Sequence, residues 1–98
     1  MGMKERKIAE IEMEFNAERA ASLGRSAQRL QGAIEALKRF DSGAPADKPR
    51  PELVAEASSA CLEYLVQREA LGFGTADREF IRQEYHIPQE VWRGMGSN

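Results

Sequence analysis

From Met1 to Phe40 apolar residues recur at helical spacing, and no proline interrupts them. Projected at about 100° per residue, Ile8, Ile11, Phe15, Leu23, Leu30, Ala33, Ile34, Leu37 and Phe40 fall within one arc. Ala9, Met13, Ala20 and Ala27 lie along its edge, and Glu14, Glu18, Arg25 and Arg29 lie opposite. A core-facing stripe with a solvated back is the pattern of an amphipathic helix. Gly24 and Gly32 each cost about 1 kcal/mol relative to alanine. The stripe nevertheless keeps its phase across both, which predicts one continuous helix over residues 1–40. About 35 helical residues span about 50 Å, whereas a compact domain of this size is only about 35 Å across. The rest of the chain is too short to cover such a stripe, so a partner is expected to cover what remains.

Composition agrees with a helical chain. The 98 residues fit one small domain, 1–98, with a core that is marginal for independent stability. Leucine, alanine and glutamate are abundant and β-branched residues few, which predicts an all-α fold. A net charge of −2 gives no electrostatic case for nucleic acid or an anionic membrane surface. Residues 1–40 carry eight Lys/Arg against six Asp/Glu, and residues 41–98 six against ten, so the halves differ only mildly in charge. Cys61 is the single cysteine and excludes an intrachain disulfide. That usage suits a reducing compartment, and its helical core position suits a small hydrophobe. No apolar run approaches the length of a membrane span. The charged N-terminus is unlike a signal peptide, and Arg6 replaces the Ser or Thr of a myristoylation motif. The expected location is cytoplasmic.

Asp41 to Arg50 reads as a linker, with Gly43, Pro45 and Pro49 among small polar residues. Pro51 suits the first turn of a second helix, residues 51–71. On that helix Leu53, Val54, Ala57, Cys61, Tyr64, Leu65 and Leu71 share a broad face that Leu62 and Val66 widen, which predicts contact with two neighbours. Gly72 supplies the left-handed position that ends many helices, with Phe73 placed for the accompanying hydrophobic contact. Thr75 then reads as an N-cap with Asp77 in the first turn. Helix three, 76–85, is expected to bury Phe80, Ile81 and Tyr85. Pro88 opens a fourth helix to Arg93 that is anchored by Trp92, and the glycines after it are expected to fray.

Chemistry-bearing motifs are sparse. With one histidine, one cysteine, no phosphate-binding glycine loop and no metal-ligand spacing, the sequence predicts neither catalysis nor a cofactor nor a bound metal. His86 reads as a turn residue, and Glu10 and Glu14 as a solvated charged face from which Glu12 points away. Three charges are less ordinary. Glu12 and Arg19 fall inside the first apolar arc, and Arg68 falls inside the second. They either snorkel at the ends of the core or form an inter-helix ion pair, Glu12 with Arg68 or Arg19, that sets register.

Residues 75–93 resemble a helix-turn-helix at low resolution, two short helices flanking a tight turn. Arg82 stands where alanine is usual and His86 where glycine is usual. Only Gln89, Glu90 and Arg93 would face bases, which is thin for DNA readout. A DNA-binding regulator is therefore the alternative reading. The preferred one is a non-catalytic, homodimeric interaction or adaptor module. Its long helix packs antiparallel on a second, two short C-terminal helices cap the core, and a second copy completes the bundle. Small residues near Ala20 point to a dimer seam over Met13, Ala20, Leu23, Ala27, Leu30 and Ile34 with heptad-like spacing.

Overall fold

The computed structural model describes residues 3–73 and 78–96, and of residues 3–16 the helical backbone alone. It is all-helical, with no strand among the described residues: α1 (Met3–Asp41), α2 (Arg50–Ala70), α3 (Arg78–Glu84) and α4 (Gln89–Gly96). α1 passes Gly24 and Gly32 without interruption, as its unbroken stripe requires.

α1 and α2 pack antiparallel, and their polar pairs record the register. Ser22 donates to Gln67 Oε1 at 3.1 Å. Arg29 pairs with Glu63. Asp41, at the end of α1, pairs with Arg50 at the start of α2. Between these pairs Leu30, Ile34 and Leu37 meet Leu53, Ala57, Ala60, Cys61 and Tyr64 in the main core. α2 also takes α4 on its other side, so its broad apolar face has the two neighbours expected of it. Ile81, Ile87 and Val91 complete the core from the C-terminal segment.

Three helix ends close alike. After α1, Gly43 N–H donates to Phe40 O and Ala44 N–H to Arg39 O, with Gly43 at φ 91°. After α2, Gly72 (φ 88°) and Phe73 make the same pair of bonds to Glu69 O and Arg68 O. After α3, His86 and Ile87 repeat them to Gln83 O and Arg82 O, with His86 at φ 53°. Each is a Schellman closure that satisfies orphan carbonyls through one left-handed residue.

The C-terminal segment departs from expectation at several places. Thr75 and Asp77 lie outside the described residues. Phe80, expected in the core, is 64% exposed, because the seven-residue α3 turns Ile81 inward instead. α4 does not stop at Arg93 but runs through Gly94 to Gly96. Its buried anchor is Val91, while Trp92 beside it is only half-buried. The reason is a close crossing: Ser58 Oγ donates to Val91 O at 2.8 Å, and a Cβ on Gly94 would lie 2.3 Å from Ser58 Oγ. Gly94 is there for proximity rather than to break the helix.

The molecule is long, 62 × 28 × 22 Å, with a radius of gyration of 17.5 Å against about 13 Å for a compact chain of this length. The excess comes from α1. Ala70 and Leu71, where α2 ends, line a shallow depression with Arg19 and Ser22. The α1 backbone continues from that level to Met3, about 24 Å further at 1.5 Å per residue.

Candidate interaction surface

The residues expected at a dimer seam separate in the fold. Leu30 and Ile34 are 0% and 3% exposed, closed over by the chain's own α2. This corrects their assignment: neither has surface left for a second copy. The physical cause is the register of α1 on α2, which brings the bulkiest part of the stripe opposite Ala57, Ala60 and Cys61. Leu23 and Ala27 are half-buried against the same core, and Ala20 is exposed. Met13 lies outside the residues whose side chains are described, as does Glu12 of the expected register pair.

Around the end of α2 the charges and rings are organised. The Arg68 guanidinium sits 5.0 Å from the Phe73 ring centroid and 5.7 Å from that of Tyr64, distances at which a cation is attracted by an aromatic face. Arg68 Nη1 also donates to Tyr64 Oη at 3.3 Å. Tyr85 Oη donates to the same oxygen at 3.3 Å, and the two tyrosine rings meet edge to face at 5.4 Å. Burial, aided by the bond to Tyr64, pushes the Tyr85 phenol up from its ordinary value. The aromatic surroundings explain how Arg68 is tolerated within an apolar face: its stem lies on rings and its head is shared with a phenol. Arg19, the other arginine of the expected pair, is exposed beside Ser22, Gln67, Ala70 and Leu71. Phe73 itself remains 54% exposed.

At the opposite end of the bundle Arg50 ties three helices together. Its Nε donates to Asp41 Oδ1 at 2.8 Å and its Nη1 to Glu90 Oε2 at 2.9 Å, with Nη2 reaching both carboxylates. The hydrogen bonds from this guanidinium hold both carboxyls below their usual range. A planar fork shared between two carboxylates fixes orientation as well as distance. Sequence reading missed this node, because Asp41 and Arg50 fall at the two edges of what looked like a linker and Glu90 lies 40 residues on.

A third surface runs between α2 and the C-terminal helices, where Leu62, Leu65, Trp92 and Met95 line an open groove with Arg78 and Arg93 at its edge. Leu62 is 44% exposed there, and Val66, one turn further along α2, is 55% exposed. Cys61, beneath this face, is fully buried, and desolvation pushes its thiol up to about 11. A thiol so raised is almost entirely protonated at neutral pH and a poor nucleophile. Among the described residues no group of three or more His, Cys, Asp or Glu is placed to hold a metal ion, and no helix is long and apolar enough to cross a membrane.

A family model matches residues 3–98, nearly the whole chain, and carries the description family of unknown function DUF6665. The chain belongs to that family. The match spans the residues of all four helices. None of the curated proteins and none of the solved structures compared matches the chain.

Proposed function

We propose that this protein is a non-catalytic interaction module of the cytoplasm that works as a homodimer, with the outer part of α1 as its association element. The observation that carries the reading is the mismatch in length between α1 and the bundle. α2 ends beside Arg19, whereas α1 continues to Met3. The apolar sequence pattern continues with it through Phe15, Ile11 and Ile8. A helix with an apolar stripe that outruns its own domain gains stability by burying that stripe in an association. The buried, protonated Cys61 fits a reducing environment.

The DNA-binding alternative draws no comparable support. Of its three candidate base-reading side chains, Glu90 is an anion held by Arg50, and α4 is fastened to α2 through Val91. Sedimentation equilibrium at about 10 μM, a concentration that reports micromolar association, tests the proposal. Twice the chain mass is expected, and a well-folded monomer refutes the homodimer. A random-duplex titration at about 50 mM salt, where phosphate contacts are strongest, is expected to give no binding. Salt-sensitive binding below micromolar protein would instead favour the regulator.

A further inference from the structure

We propose that the groove between α2 and α4 is a docking site for an acidic amphipathic helix of another protein. This is a second surface, separate from α1, and it does not depend on the homodimer reading. Three observations converge on it.

The first is shape. Two shallow depressions follow α2, one lined from Pro51 to Leu62 and the other by Leu62 and Leu65. Leu62 and Met95 line both, so the two form one continuous groove. From Pro51 to Leu65 it follows α2 for about 21 Å, roughly four turns of a helix. An open groove of that length takes the apolar face of a helix laid along it. A small ligand, by contrast, is enclosed over most of its surface.

The second is the apolar content. Val54, Leu62 and Val66 lie on one row of α2 at multiples of four residues, and the last two are largely open to solvent. Trp92 and Met95 of α4 are half-buried on the facing side. A contiguous apolar surface left open on a small domain marks an interaction site. Tryptophan, methionine and arginine are residue types in which protein interfaces are enriched.

The third is charge. Arg78 and Arg93 line the groove and are exposed, and no acidic residue lines either depression. Among the described residues neither arginine has a carboxylate partner, whereas Arg29, Arg39, Arg50 and Arg82 each have one. A second copy presenting the same groove would bring arginines together with no carboxylate between them, which repels. Carboxylates flanking the apolar face of an incoming helix would instead meet both guanidinium groups.

The test uses the full chain and two fluorescein-labelled helical peptides of about 14 residues, matched to the groove length. Both carry the same leucines on one face; one is flanked by glutamates and the other by lysines. Fluorescence anisotropy is expected to give a dissociation constant of roughly tens of micromolar for the acidic peptide. Binding of the basic peptide is expected to be about tenfold weaker or less. Arg78→Glu/Arg93→Glu should reverse that preference, and Leu62→Asp should abolish binding of both peptides. All three positions are exposed, so the variants should melt like the parent. Equal binding of the two peptides, binding of neither, or binding unchanged in the variants overturns the proposal. Cosedimentation with phosphatidylglycerol vesicles that the same variants abolish, without peptide binding, overturns it in favour of an anionic membrane. Loss of dimer mass in Leu62→Asp overturns it in favour of a second copy. A parent protein that is monomeric but binds the acidic peptide refutes the homodimer alone and upholds the docking site.

Discussion

Two residues at the C-terminal end of the chain hold backbone positions that their neighbours dictate, and they can be read against each other. His86 occupies the left-handed site of a closure that Gly43 and Gly72 fill elsewhere. A β-carbon there is strained, and His86 is exposed, so little packing offsets the strain. His86→Gly is expected to stabilise the fold by about 0.5–1 kcal/mol, seen as a rise in melting temperature of a few degrees. Gly94 is the opposite case. A side chain there would strike Ser58 where Ser58 bonds Val91 O. Gly94→Ala is expected to cost about 1–3 kcal/mol, the usual range for overpacking, and chemical denaturation measures it. Gly72 was legible in sequence as a helix end because a glycine followed an apolar run. His86 and Gly94 were not legible as such, since one is the wrong residue for its site and the other sits inside a helix. Both are explained only by chain segments distant in sequence or by the closure geometry itself.

Among elements, the amphipathic periods of α1 and α2 were enough to predict two long antiparallel helices, because apolar burial sets which faces meet. They could not give the register, which is recorded in polar pairs 30–45 residues apart such as Arg29 with Glu63 and Ser22 with Gln67. The short helices were harder. Seven and eight residues carry too little periodicity to say whether Phe80 or Ile81, or Val91 or Trp92, turns inward. The Arg50 node makes a prediction at this scale. Asp41 and Glu90 have lowered carboxyl pKa values in the fold, chiefly through their hydrogen bonds to Arg50. Carboxyls depressed on folding contribute stability above their unfolded values, 3.8 and 4.5, and lose it as pH falls through the folded ones. Unfolding free energy is therefore expected to drop on acidification below about pH 4.5. Arg50→Gln should flatten that part of the curve while leaving its form near pH 7 unchanged.

The molecule as a whole divides its stability differently from what length alone implied. A second copy is expected to cover what remains of the α1 stripe, and Leu30, Leu37, Cys61, Ile81 and Val91 are closed from solvent within one chain. Among the described residues all four helices contribute to that cluster. Association and folding are therefore separable. When the dimer dissociates, the bundle from Ser22 to Met95 should keep its cooperative unfolding, unlike an obligate dimer whose monomer has no stable fold. The check is to follow mass and thermal melting together while diluting across the dissociation constant. Mass is expected to halve while a sigmoidal melt persists, with its midpoint lowered only by the binding free energy lost. Leu30→Ala should instead lower the midpoint of monomer and dimer alike, by the about 2–5 kcal/mol of a truncated core leucine. Loss of the cooperative melt in step with loss of dimer mass would mean that the bundle depends on its partner after all.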